Sequence, residues 1–236
     1  MSDPLKCQFE RNGLRSIKIA ELLFRNQIVA LVGGADNNQW PNTKVIIWDD
    51  YQLRKIDEIK VGQAVLAVKL RKDKLVVVMR KRVHIYNLAD LEFFGALETA
   101  DNPLGVVALN STTETFVLAV LHEENPNDVF IQMLNHSREH RVIHCHSNPI
   151  GQLALNHDGR YLATASIEGK RIKVFNSYTM QELRVFRHGI KTTQIGQLCF
   201  SKNANYLGST SPSQKIHVWK LGFGDTETRV MTTRKS

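Results

Sequence analysis

The sequence predicts an all-β chain, a WD-repeat-like β-propeller with about five four-stranded blades, and three observations carry that prediction. A short β-branched segment with an aromatic near its end recurs at Val45–Asp49, Val83–Asn87, Ile172–Asn176 and Ile216–Lys220, with a weaker copy at Val129–Met133. Aligned, these segments put Trp48, Tyr86, Gln132, Phe175 and Trp219 in register, at intervals of 38, 46, 43 and 44 residues. A second signal runs in phase with the first: Gly105–Leu109, Gly151–Leu155 and Gly196–Phe200, spaced 46 and 45 residues apart. A period of roughly 40–45 residues holding four short strands is the sequence mark of propeller blades.

Taken in order, the first unit spans 14–60. It opens on Ile17–Leu23, which suits an innermost strand, and continues through Ile28–Val32 to Val45–Asp49. The second unit, 61–99, holds Leu75–Met79 and Val83–Asn87, and the third, 103–144, holds Gly105–Leu109 and Val129–Met133. The fourth, 150–187, shows the pattern most fully. Gly151–Leu155 leads to the turn Asn156-His157-Asp158-Gly159, then to Tyr161–Thr164 and Ile172–Asn176. The fifth, 194–221, runs through Gly196–Phe200, Tyr206–Ser209 and Ile216–Lys220 and shows no fourth strand. Residues 222–236 are polar, charged and aperiodic, which predicts a disordered tail.

The chain has 236 residues and a 42% hydrophobic fraction, enough for an array of repeats. Its longest apolar runs, such as 28–32 and 75–79, fall far short of the roughly 20 residues a membrane-crossing helix requires. No apolar signal segment follows Met1, so a soluble intracellular protein is expected. Cys7, Cys145 and Cys199 are odd in number and widely spaced, which argues against a disulfide framework. The net charge of +8 favours an anionic partner. The runs Arg71-Lys72-Asp73-Lys74 and Arg80-Lys81-Arg82 read as solvated turns without interleaved aromatics, so nucleic acid is not expected.

Catalysis is not expected either. The acid pairs Asp49-Asp50 and Glu123-Glu124 are consecutive and cannot aim two carboxylates at one bond. No nucleophile elbow, phosphate loop or dinucleotide fingerprint is present. His136, His140, His144, Cys145 and His146 cluster along the chain, but no carboxylate or second cysteine completes a metal set, so no metal and no cofactor are expected.

Several segments together resemble the PROPPIN family. They are Leu31–Asn37 with Lys44–Asp50, Asp101-Asn102-Pro103-Leu104-Gly105, Leu153–Asn156 with Leu162–Ser166, Phe186-Arg187-His188-Gly189, and Ser209-Thr210-Ser211 with Lys215–Trp219. They follow the family's order across about 3–221, and the likeness is strongest to its WIPI-three/WIPI-four branch. The resemblance implies a seven-bladed propeller adaptor that binds phosphatidylinositol 3-phosphate and the 3,5-bisphosphate and acts in autophagy. It implies a cytoplasmic protein peripheral on preautophagosomal, endosomal or lysosomal membranes, with an autophagy lipid-transfer protein as partner. A truncated WD-repeat scaffold without lipid binding is the alternative. Against the family plan the sequence reads as truncated at both ends, without the hydrophobic loop of the sixth blade or the seventh blade. Open blade faces and an unpaired edge at 215–219 would then predict low stability or self-association.

The resemblance also implies where an anionic headgroup would sit. Adjacent strand residues face opposite ways, so one signature serves two pockets. Arg187 would act with Thr164, Ser166, Lys173 and Thr193. Lys173 stands where the family has arginine, which keeps the charge and loses the two-pronged fork. His188 stands in place of the signature's second arginine and would act with Lys191, Thr210, Ser211 and His217. A histidine there predicts a weakened second pocket that gains lipid affinity once the ring protonates, below about pH 6.5.

Overall fold

The computed structural model describes residues 16–23, 27–34, 36–134, 138–189, 192, 194–212, 215–222 and 230–233. The chain divides into two compact units, one ending at Val65 and one beginning at Leu66. The first holds a single antiparallel sheet of β1 (Ile17–Leu22), β2 (Ile28–Gly33), β3 (Lys44–Asp49) and β4 (Arg54–Lys60), paired in that order.

The second unit holds four more sheets of the same meander. They are β5 (Ala67–Leu70) to β8 (Phe93–Glu98) through β6 (Lys74–Val78) and β7 (Arg82–Asn87). Next come β9 (Val107–Leu109), β10 (Val117–Leu121), β11 (Asp128–Leu134) and β12 (Arg138–His144). Then come β13 (Ile150–Leu155), β14 (Tyr161–Ser166), β15 (Arg171–Asn176) and β16 (Glu182–Arg187). The last sheet is β17 (Gln197–Phe200), β18 (Tyr206–Thr210), β19 (Ile216–Lys220) and β20 (Val230–Thr233). The sequence motifs at Trp48, Tyr86, Gln132, Phe175 and Trp219 all fall on third strands. First strands of successive sheets are neighbours, β5 beside β9, β9 beside β13 and β13 beside β17, which is the radial arrangement of propeller blades.

Burial explains the strand chemistry. β10 is buried at every position, because each inner strand is covered on both faces and so reads as a continuous apolar run. Outermost β8 alternates between exposed and half-buried. Three apolar layers fill the spaces between sheets. Val76, Val83 and Ile85 meet Val107, Leu118 and Val120; Val117, Ile131 and Ile143 meet Leu153, Leu162 and Phe175; Ile172, Val174 and Phe186 meet Leu198, Leu207 and Trp219. Asn110 and Asn156, at equivalent turns, are buried and accept from the amides of Val117 and Tyr161.

Two expectations are corrected. The fifth unit has its fourth strand: Val230–Thr233 pairs with Ile216–Trp219, so residues 215–219 are not a free edge and the segment 222–236 is not all disordered. A four-residue strand is too short for periodicity to reveal, and the unpaired backbone of β19 supplies its template. Arg71 is not on a solvated turn, for it is 2% exposed. Its position at the end of β5 carries the guanidinium to Asn110 and to the carbonyls of Thr112 and Thr115.

Candidate anion-binding face

Strand register decides which side chains share a face. In the β13–β16 sheet Lys173 lies opposite both Thr164 and Val185, Ser166 opposite Ile150, and Arg171 opposite Arg187. Directly opposed residues stand on the same side. Thr164, Ser166, Lys173 and Arg187 therefore share one face, the grouping the sequence implied. Phe186 and Ile172 occupy the other face and enter the apolar layer with Trp219.

Only Arg187 of that group lies open at the end of the face. Thr164 is fully buried, and its hydroxyl is 2.9 Å from His146 Nε2. Ser166 is buried at the end of β14. Lys173 Nζ is 2.8 Å from Glu182 Oε2, so its charge is already compensated. Thr193 lies outside the described residues. Arg187 is exposed, and a cavity of about 310 Å3 beside it is lined by Lys170, Arg171, Val185, Arg187 and Gly189. Among the described residues no carboxylate stands within ion-pair distance of Arg171 or Arg187, whereas Lys170 meets Glu168 at 2.9 Å. Lys170 and Arg171 are functional candidates that the motif comparison passed over. Their signal was available in the hairpin geometry, which sets Arg171 across from Arg187.

Behind this face, burial dominates the titrating groups. It pushes the Cys145 thiol up to about 12. Burial and then the charge of Lys173 pull His146 down to about 4.

On the opposite side His188 is buried. Its Nδ1 lies 3.1 Å from the Gly169 carbonyl, and its Nε2 has no hydrogen-bond partner among the described residues. The His217 ring is 4.6 Å away, and that ring stacks on Trp219 at 5.5 Å. Arg187 and His188 do turn to opposite faces, but the second group does not assemble as expected. Ser209 is the residue opposite His217, and alternation turns Thr210 to the far face with Ile216. The buried Ser209 hydroxyl, without a hydrogen-bond partner among the described residues like His188 Nε2, shares the His217 side. Ser211 sits past the strand end, its amide donating to the Lys215 carbonyl, and Lys191 lies outside the described residues. Burial and then His217 hold the His188 pKa below its ordinary value, and burial and then Lys215 do the same for His217. Any acid-driven gain at His188 is therefore displaced below the pH of a free imidazole.

The three histidines predict an acid-sensitive fold. The unfolded chain takes up protons below pH 6.5, while folded His146 resists down to about 4, so stability falls as pH drops through that window. His188 and His217 add losses of the same sign. Thermal midpoints measured across the window should fall monotonically, with a shallower slope in His146→Gln. A flat profile in the wild type would contradict the burial of these rings.

The sequence profile of the PROPPIN family matches residues 4–231. Autophagy-related protein 18e of Arabidopsis thaliana is 32% identical over 205 residues, covering 86% of this chain and 54% of its own length. Autophagy-related protein 18 of Mycosarcoma maydis is 30% identical over 236 residues, covering 90% and 52%. The chain thus spans about half the length of these curated relatives. The solved structure of Kluyveromyces lactis Hsv2 superposes with a TM-score of 0.74 at 20% identity, covering 89% of this chain and 64% of that one. KlAtg21, solved in complex with the coiled-coil of AgAtg16, gives 0.74 at 18% identity over 87% and 67%.

Proposed function

The chain belongs to the PROPPIN family, and from that membership we propose that it is a phosphoinositide-binding propeller adaptor acting in autophagy at membrane surfaces. The observation that carries this reading is the open cationic end of the β15–β16 hairpin. There Arg187 and Arg171 stand side by side without a carboxylate partner among the described residues. Guanidinium forks match phosphate oxygens in two-pronged geometry, and a phosphorylated inositol ring is a dense anion of that kind. Phosphatidylinositol 3-phosphate and the 3,5-bisphosphate are the proposed lipids, with residence on preautophagosomal, endosomal or lysosomal membranes. The role is one of binding rather than catalysis. A protein partner in the same process belongs to the proposal, an autophagy lipid-transfer protein being one. The autophagy names of the curated relatives support the process, and the coiled-coil solved with KlAtg21 supports adaptor behaviour.

A protein-contact scaffold without lipid binding is the second reading. It is favoured by the engagement of Thr164 and Lys173 with internal partners.

Flotation on vesicles containing phosphatidylinositol 3-phosphate, against phosphatidylinositol vesicles, separates the two. Wild type is expected to float only with the phosphorylated lipid. Arg187→Ala should weaken binding about tenfold or more, the loss of one charge-assisted hydrogen-bonded contact. Folded protein that floats on neither vesicle would establish the scaffold reading instead.

A further inference from the structure

We propose that His188 and His217 hold a divalent cation of the zinc class between two neighbouring sheets. The site is independent of the lipid-binding reading, because His188 turns away from the Arg187 face.

His188 follows the last residue of β16, and its amide donates to the Lys170 carbonyl, which fixes the backbone there. Its ring is buried, and Nδ1 lies 3.1 Å from the Gly169 carbonyl. A carbonyl oxygen only accepts, so Nδ1 carries the proton and Nε2 keeps its lone pair. That lone pair is buried and meets no hydrogen-bond donor among the described residues. An unmatched buried acceptor is costly. The arrangement is that of a metal-bound histidine, whose other ring nitrogen donates to a carbonyl and so fixes the tautomer and the direction of the ring.

The second nitrogen comes from the next sheet. His217 stands on β19, and its ring centroid is 4.6 Å from that of His188. Two imidazoles bound to one ion at about 2.0–2.1 Å, at angles between square-planar and tetrahedral, have centroids roughly 4.5–5.2 Å apart. Trp219 packs beside both rings, at 6.2 Å from His188 and 5.5 Å from His217. The buried Ser209 hydroxyl, without a hydrogen-bond partner among the described residues, lies opposite His217 in the ladder and brings an oxygen to the same side. His217 is half-buried, which gives the ion and its waters a way in. Burial above all holds both rings below the ordinary imidazole pKa, so both offer the neutral, ligating form.

Imidazole nitrogens suit zinc, nickel and copper, whereas magnesium and calcium take oxygen shells. No third histidine, cysteine or carboxylate joins the pair among the described residues, and the exposed Lys215 sets a positive charge near His217. The affinity is therefore that of two nitrogens completed by water, with a Kd on the order of 1–10 μM. Because the ion joins the end of β16 to β19, its binding is coupled to the packing of the two sheets.

The test titrates zinc chloride into the full, untagged chain after chelator treatment, read by calorimetry and by thermal midpoint. Wild type is expected to bind one equivalent, and its midpoint to rise by about 5–10 °C when free zinc is a hundredfold above Kd. Magnesium chloride should give neither effect. His188→Gln and His217→Gln should each weaken zinc binding tenfold or more, with circular dichroism matching wild type as the sign of a folded variant. His144→Gln removes an exposed histidine that meets Asp128 at 2.8 Å and should leave zinc binding unchanged. A readout that needs no variant is the nuclear magnetic resonance of the wild-type imidazoles, in which zinc should shift His188 and His217 ahead of the other histidines. Wild type that binds no zinc overturns the site. So does binding that survives in folded His188→Gln, or that disappears in His144→Gln, since the ion would then sit on surface histidines.

Discussion

Arg71→Ala is expected to lower the unfolding free energy by about 3–5 kcal/mol, the penalty for removing one partner of a buried charged network. Arg71 is 2% exposed, and its guanidinium grips Asp73 at 2.6 and 2.7 Å. The same group donates to Asn110 Oδ1 and to the carbonyls of Thr112 and Thr115 and lies over the Phe116 ring at 4.8 Å. It thus ties the turn that ends β5 to the β9–β10 connection of the next sheet. Burial pushes the Asp73 carboxyl up, but the Arg71 hydrogen bond and charge leave it below the usual range, so the pair is ionised at neutral pH. Truncation to alanine takes one donor from each of two carbonyls and an amide oxygen, which among the described residues keep only their bonds from Asn110 Nδ2 and the Val117 amide, and it removes the fork that holds the Asp73 carboxylate. Arg71→Lys keeps the charge but cannot span five acceptors and should recover only part of the loss. Chemical denaturation of the three proteins reads the difference, and a cost below about 1 kcal/mol for alanine would mean that the network is no more than a surface pair.

Trp219→Ala is expected to cost a similar amount, about 3–5 kcal/mol, through cavity formation. Trp219 is 1% exposed and stacks on Phe186 at 5.5 Å within the layer formed by Ile172, Val174, Leu198 and Leu207. It also stands 6.2 Å from His188 and 5.5 Å from His217, forming one wall of the space around the buried His188 ring. The same variant therefore has a second readout, the His188 titration. Opening the wall admits water, and the ring should titrate closer to an ordinary histidine. Trp219→Phe keeps most of the volume and should retain both the stability and the low titration. Unchanged His188 titration in a folded Trp219→Ala protein would show that the burial of the ring has another source.

Much of the fold was legible because a propeller is written locally. Each blade repeats short strands at a near-constant period, and third strands carry an aromatic or its stand-in at one position, so Tyr86, Phe175 and Trp219 could be aligned without long-range information. Alternation along a strand also placed Arg187 and His188 on opposite faces, and the family resemblance implied the grouping of Thr164, Ser166 and Lys173 with Arg187, which the strand register brings to one face. Other assignments depended on relations between strands. Which hydroxyl shares the side of His217 turned on a one-residue register, and the ladder put Ser209, not Thr210, opposite it. The meeting of Arg171 with Arg187 depended on the length of the β15–β16 hairpin and on its irregularity between Val174 and Phe175.

The sequence by itself determined the all-β class and the repeat, because strand periodicity and composition act within a few residues. The tertiary structure alone decided which charges are available and which are consumed. Arg71 and Lys173 are cations of the same kind as Arg171 and Arg187 in the linear chain. One is buried under the next sheet's turn and one is paired across a strand, and of these four Arg171 and Arg187 have no carboxylate partner among the described residues. Availability is a property of desolvation and of partners such as Glu182, 9 residues from Lys173, and Thr115, 44 residues from Arg71, and local pattern carries little record of either.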